Sequence, residues 1–268
     1  MRSASDYGRQ RWLRVTALGV LAFLYLPILT MVVFSFNENP VLGLPLRGPT
    51  LDWYRAFLDN EDVLESIVNG ALVAAGCVCL GVGFGLPAAI ALDRHDFPGK
   101  AFFRRIVLLP IILPGVITGV ALLNFLVLVS IPLSLWTIVL GVGTALICIT
   151  VTEVFARLQQ VGRSQEEAAE NLGATPAEVF SKVTLPNIST ALWGSALITY
   201  AIAFDELAVT YLLTGRDNTL PMALWSMLRR EATPEINAIA TTVFAASAIV
   251  LVAGLWLSRG RSARAHPG

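Results

Sequence analysis

Between Arg105 and Glu153 the chain runs for 47 residues without a single charged side chain. A helix needs about 20 predominantly apolar residues to cross the hydrocarbon core of a bilayer, so this stretch is long enough for two crossings. The segment Ser130-Ile-Pro-Leu-Ser134 divides it. Pro132 lacks a backbone donor and disfavours helical geometry at the residue before it, which predicts a tight hairpin between spans three and four. Further apolar stretches predict spans over Val15–Phe36, Ser66–Leu92, Ile188–Leu213 and Ile236–Ser258, the fifth interrupted only by Asp205 and Glu206. The expected fold class is therefore all-α: a polytopic membrane protein with six transmembrane helices. Its composition agrees, with 55% hydrophobic and 14% charged residues against roughly 25% charged in a soluble domain.

Six spans put both termini on one side, and basic residues near span ends choose that side, because Lys and Arg stay in the cytoplasm more often than they cross. The side holding the termini, the loop after span two and the loop after span four carries 14 basic residues; the other side carries 5. Both termini are expected in the cytoplasm. This gives a cytoplasmic segment over 1–14, a transmembrane domain over 15–258 with a cytoplasmic loop at 158–186, and a cytoplasmic tail over 259–268. The first span is expected to be retained: it is longer than a signal sequence, contains Pro27 and is followed by no A-x-A-like site. In the first external loop, Leu51–Phe57 is expected to form an amphipathic helix with Trp53, Tyr54 and Phe57 at headgroup level.

The loop from Leu158 to Leu185 is 28 residues long, more than adjacent spans need. Ser164-Gln-Glu-Glu167 fits a capping box, so a short helix is predicted through Ala168, Ala169 and Leu172, ending at Gly173. Thr175-Pro-Ala-Glu178 fits a second box with Pro at the first helical position, starting a second short helix in a new direction. Two short helices joined by Gly173 and Ala174 make an elbow on which a partner can dock; an amphipathic hairpin lying on the bilayer is the other shape this composition allows.

Glu167-Ala-Ala169, three residues, Gly173, nine residues and Val183-Thr-Leu-Pro186 resemble the EAA-x3-G-x9-I-x-L-P loop of binding-protein-dependent ABC importer permeases, with Val183 where Ile is usual. The resemblance implies that Glu167, Ala168, Ala169, Gly173, Ala174, Leu185 and Pro186 form the coupling region that fits a groove on an ATP-hydrolysing subunit. Leu51-Asp-Trp-Tyr54, Ala203-Phe-Asp-Glu-Leu207, Tyr211-Leu-Leu-Thr-Gly215, Ser226-Met-Leu-Arg-Arg230 and Thr233-Pro-Glu-Ile-Asn-Ala238 look like the second membrane subunit of spermidine/putrescine importers, over residues 10 to 258. Many relatives have two aspartates where this chain has Asp205-Glu206. The resemblance implies a bacterial inner-membrane location, alternating access and a companion permease. It also implies two copies of an ATPase subunit carrying ATP and Mg, a periplasmic substrate-binding protein and no cofactor on this chain.

Carboxylates inside a span face a cavity or a partner because lipid exposure is costly. Asp205 and Glu206 are thus the first candidates for a substrate pathway. The 17 residues from Ile188 correspond to roughly 25 Å of helix, placing them in the external half. They offer charge-assisted hydrogen bonds to ammonium groups, and Tyr200, Phe204 and Tyr211 offer cation–π surface. On a continuous helix the two carboxylates point about 100° apart, so one binds and the other supports. The alternative role is structural, one of them pairing with Arg216 or Arg229. Asn69 and Asn124 are expected to hydrogen-bond between helices, and Glu153 with Arg157 to form a local ion pair. Arg229, Arg230 and Glu231 fit either a receptor contact or an ordinary solvated loop.

Enzymatic roles find no support: there is no phosphate loop, no H-E-x-x-H, and His95 and His266 are the only histidines. Cys77, Cys79 and Cys148 lie in apolar runs without metal-ligand spacing, as lipid-facing or packing residues. A net charge of zero gives no pull toward nucleic acid. An ion-coupled carrier is the rival mechanism, but the two halves do not repeat and such a carrier leaves the elbow unexplained. Other cargoes of similar permeases are opines, amino-acid derivatives, thiamine-like cations, ferric iron and anions; the acidic pair argues against the anions.

Overall fold

Proline placement decides where the long apolar runs stay straight and where they break. The computed structural model describes residues 4–43 and 45–262, with side chains over 12–249 except residues 44 and 111. The described elements are helical apart from one isolated bridge between Asn37 and Pro49. Among the described residues four helices are long and apolar enough to cross a membrane, and five if a bent pair counts as one span. The chain divides into two units, 1–61 with 224–268, and 62–223.

The first unit holds α1 (Ala4–Ser35), α2 (Asp52–Asp59), most of α11 (Leu220–Arg230) and α12 (Pro234–Ser262), with α12 packed on α1 and α2. Helix α1 is continuous through residues 4–14 into the expected first span, and no residue of Trp12–Phe34 is fully buried, as suits a lipid-facing span. The amphipathic α2 forms where expected; Phe57 is buried rather than at headgroup level, and Trp53 and Tyr54 are half-buried. The Trp53 indole N–H donates to the Asn37 carbonyl at 2.8 Å, and the Tyr54 hydroxyl is 2.7 Å from that of Ser35. Both half-buried rings turn their polar tips to the end of α1 and the residues just after it, where Ser35 and Asn37 offer hydrogen-bond partners. The Asn60 amide donates to Glu235 at 3.0 Å, tying α2's end to the start of α12. The expected sixth span lies in α12, whose side chains from residue 250 lie outside the described residues.

The second unit is organised around α6 (Leu135–Val161), which packs chiefly on α9 (Leu185–Phe204) and also on α4 (Lys100–Ile112). Helix α3 (Glu61–Arg94) meets α6 in two buried clusters. One joins Val73, Ala74 and Cys77 to Ile138, Val139 and Val142; the other joins Ala89 and Leu92 to Val151, Val154 and Leu158. Close approach depends on small residues, as in membrane interfaces generally. A Cβ at Gly85 would stand 2.8 Å from that of Thr150 and 3.1 Å from the Ile147 carbonyl oxygen. Cys77 and Cys148 are buried packing residues, whereas Cys79 faces outward.

Two expected spans are not straight. The third is broken into α4 and α5 (Gly115–Leu128), which meet at 99°. Pro114 forces Leu113 into extended geometry, φ −78° and ψ 132°, by the rule that placed the hairpin at Pro132. The fifth ends at Phe204 and resumes as α10 (Ala208–Leu213), leaving Asp205–Leu207 outside helix. Helix α5 packs mainly on α10, so the two breaks lie side by side. The hairpin at Ser130–Ser134 is present, with Ser134 and Thr137 capping α6 reciprocally. Asn69 does not bond to another helix: its amide donates to the Asn218 carbonyl at 3.2 Å, in the connection after α10. Asn124 is exposed on α5, and its side chain has no hydrogen bond among the described residues.

Candidate functional site

The elbow is built almost entirely from local signals. Helix α7 (Ser164–Asn171) ends in a left-handed Gly173 at φ +89°; the Gly173 N–H donates to the Glu170 carbonyl at 2.9 Å and the Ala174 N–H to Ala169 at 3.0 Å. This pair of bonds is the Schellman closure that satisfies a helix's orphan carbonyls. The chain then turns into α8 (Pro176–Val179). Here the capping box is present: the Glu178 amide donates to the Thr175 hydroxyl at 3.4 Å, and the Glu178 carboxylate accepts from the Thr175 amide at 3.0 Å. Hydrogen bonds from Lys182 and Thr175 hold the Glu178 carboxyl down at about 2. A depressed carboxyl stabilises in its ionised form. Its contribution is complete above the ordinary value near 4.5 and is lost as pH falls through about 2.

Two expectations about the elbow need correction. The box at Ser164 does not form: Ser164 lies inside α7, Arg163 occupies the cap, and no side chain caps it. Nor is the second helix short, since it continues through a π-turn, Phe180–Thr184, into α9. Pro186 explains the π-turn. It has no N–H for the carbonyl four residues back, and the widened turn lets the Leu185 N–H reach Phe180 instead.

A polar cluster fixes the elbow to the end of α3. Glu166 accepts from Arg94 at 2.8 Å and from the Thr184 hydroxyl at 2.7 Å. Arg94 also pairs with Asp93, whose side chain accepts from Gln159 and whose carbonyl accepts from Arg163 at 2.6 Å. Asn187 donates to Gln165 at 2.7 Å. The pairing is largely shielded from water: the Arg94 and Glu166 side chains are 12% and 16% exposed. Sequence reasoning missed Arg94 and Glu166 because 72 residues separate them. The expected Glu153–Arg157 pair is absent, because the Arg157 guanidinium instead donates to the Asn187 carbonyl at 3.0 Å. Arg94→Ala leaves Glu166 with only the Thr184 hydroxyl and is expected to cost about 2–3 kcal/mol. Faster amide exchange across 164–175 checks this, together with a lowered unfolding midpoint.

The expected coupling residues gather on this elbow. Glu167, Ala168, Gly173 and Pro186 are exposed, and Ala169, Ala174 and Leu185 are half-buried. Ala169, Gly173, Ala174, Lys182 and Val183 line a shallow open pocket of about 290 Å³. Leu172, beside it, is 88% exposed. Helix α7 buries no residue and is otherwise Ser, Gln, Glu, Ala and Asn, so it lacks the apolar stripe that a hairpin lying on a bilayer requires.

The second site lies where the two breaks meet. The Glu206 carboxylate accepts the Val209 amide at 3.0 Å, capping α10, and lies 3.6 Å from the Cβ position of Gly115, the first residue of α5. Two helix N-termini, each carrying a partial positive charge, thus converge on one carboxylate. Asp205 is exposed at the end of α9. Neither carboxylate forms an ion pair among the described residues, so the expected structural alternative of pairing with Arg216 is not realised; Arg229 belongs to the other unit. Tyr200 and Phe204 stack at 6.1 Å with planes 12° apart, and the edge of Phe204 closes on Gly70. Tyr211 is exposed on α10, with no ring contact to the other two.

A family model described as "Binding-protein-dependent transport system inner membrane component" matches residues 81–260, the portion containing both breaks and the elbow. The chain belongs to that family. This inner membrane component is thereby the permease subunit of an ABC importer, multi-pass in the membrane. It is 33% identical over 254 residues to the putrescine transport system permease protein PotI of Escherichia coli K12, covering 90% of this chain and 89% of that protein. To the spermidine/putrescine permease PotC of the same organism it is 27% identical over 244 residues, covering 91% and 92%. A bacterial ABC transporter that imports the acidic polysaccharide alginate shares the fold, with a TM-score of 0.71 at 18% identity, covering 96% of this chain and 98% of that one.

Proposed function

We propose that this permease moves polyamines such as putrescine and spermidine from a periplasmic binding protein to the cytoplasm. It would do so by alternating access, beside a second permease and above two ATPase copies that hold ATP and Mg. The observation that carries this is the carboxylate pair at the junction of two broken helices. Asp205 is exposed and not ion-paired, so it is free for an ammonium group, and the Tyr200–Phe204 stack on the turn before it adds cation–π surface. Discontinuous helices are the usual way a membrane protein presents backbone and charge to a solute at depth. The near-full-length similarity to PotI and PotC supports the same cargo.

The elbow is the coupling region: Glu167–Ala169, Gly173, Ala174, Leu185 and Pro186 meet the ATPase, and its closure is carried into the break through the continuous helix Pro176–Phe204. That helix is 29 residues or about 43 Å long, so a push at the elbow reaches Asp205 without an intervening hinge other than the π-turn. Both termini and the elbow lie in the cytoplasm, and Asp205 toward the periplasm. The test is uptake of labelled putrescine and spermidine into vesicles containing this chain, its companion permease, the ATPase and the receptor. Accumulation that requires internal ATP is expected. Receptor-stimulated ATP hydrolysis with another solute, without polyamine uptake, discards the cargo and keeps the importer.

A further inference from the structure

A cleft away from both sites is built for an anion with an apolar tail. It lies where α4 crosses the ends of α3 and α6, encloses about 580 Å³, and is walled by Leu92, Leu108 and Phe155 with Lys100, Arg104 and Arg105 around it. Lys100 is engaged by Asp96 at 2.9 Å. Arg104 lies over the Phe155 ring at 4.9 Å, and neither it nor Arg105 has an acidic partner among the described residues.

The backbone adds to the positive field. Helix α4 begins after Gly99 at φ +84°, with no side-chain cap and no acidic residue in its first turn. The Phe103 amide reaches Gly99, but the amides of Ala101 and Phe102 have no acceptor among the described residues. Such a helix start favours a negative group.

Depth follows from the sequence. Arg104 and Arg105 stand immediately before the 47 uncharged residues, so they lie at headgroup level with the apolar walls extending toward the hydrocarbon. Phe102 and Phe103 flank the cleft and are exposed. A polyamine is excluded by the three cations, which separates this cleft from the transport path.

We propose that the cleft binds an anionic phospholipid, its phosphate against Arg104, Arg105 and the start of α4, and its acyl chains against Leu108 and Phe155. Two arginines at a membrane surface both attract an anionic lipid, which predicts a preference of about tenfold or more over a zwitterionic one. The test is native mass spectrometry of the full chain, with its co-purifying subunits, titrated with equal amounts of dioleoyl phosphatidylglycerol and phosphatidylcholine. The wild type is expected to retain phosphatidylglycerol preferentially, and R104Q/R105Q to bring that preference to within about twofold of parity. Leu108→Trp, which fills the wall and leaves the charges, is expected to lower phosphatidylglycerol retention as well. The proposal is overturned by any of three results: no preference in the wild type, an undiminished preference in R104Q/R105Q, or loss of a co-purifying subunit rather than lipid.

Discussion

Gly173→Trp is expected to cut ATP-driven uptake at least about tenfold while the protein still inserts and its spans unfold at the wild-type midpoint. Gly173 sits at φ +89° with nothing within 4 Å of a would-be Cβ, so a side chain there starts in open space at the elbow's surface. Forcing an L-residue into the left-handed region costs about 1–2 kcal/mol, borne by the Schellman closure of α7. The indole also projects beside the pocket lined by Ala169, Ala174 and Val183. Gly173→Ala separates the two effects, because it carries the strain without the bulk and is expected to lose far less activity. Co-purification of the ATPase measured beside uptake decides the matter: normal transport by the Trp variant with the ATPase bound removes the elbow from the docking surface.

Asp205→Asn and Glu206→Gln are expected to fail in different ways. Asp205 is exposed and carries no ion pair, so Asn there leaves the fold intact and removes a charge-assisted contact worth about 1.5–3 kcal/mol. That predicts a rise in KM for polyamine of about ten- to a hundredfold, with an unchanged unfolding midpoint. Glu206 is committed to the start of α10 and lies against the start of α5. Gln retains an acceptor for the Val209 amide but loses the charge that two helix termini favour, a cost of about 1–2 kcal/mol in the junction. Glu206→Gln should therefore lower the unfolding midpoint and the maximal rate together. Wild-type KM in Asp205→Asn would take that carboxylate out of the pathway.

The elbow was legible in the sequence because its determinants are local. Gly173 closes a helix whose last turn lies within four residues of it, and Thr175 with Glu178 caps the next over three. The box expected at Ser164 failed because Glu167 was a weaker signal than a neighbour the sequence does not display. Glu166 is held by Arg94 from another helix, and α7 starts where that contact puts it. The break in span three was within reach of the rule used at Pro132, since Pro114 lies inside the same uncharged run. The break in span five was not, because its apolar residues continue on both sides and only two carboxylates interrupt them.

Composition and the length of the uncharged runs by themselves determined that this chain is helical and crosses a membrane, since no soluble core accommodates 47 consecutive uncharged residues of this kind. Short-range caps and the spacing of the loop motif likewise determined the elbow and the family. The tertiary structure alone decided that α5 rests on α10, bringing the break at Pro114 beside the break at Asp205. It alone also divided the acidic pair into one carboxylate that caps α10 beside the start of α5 and one without an ion pair among the described residues. Hydrophobic patterning specifies which residues leave water, but among spans that are apolar on most faces it does not specify which pairs meet. That choice is made by small residues such as Gly85 and by polar groups that must find partners far along the chain.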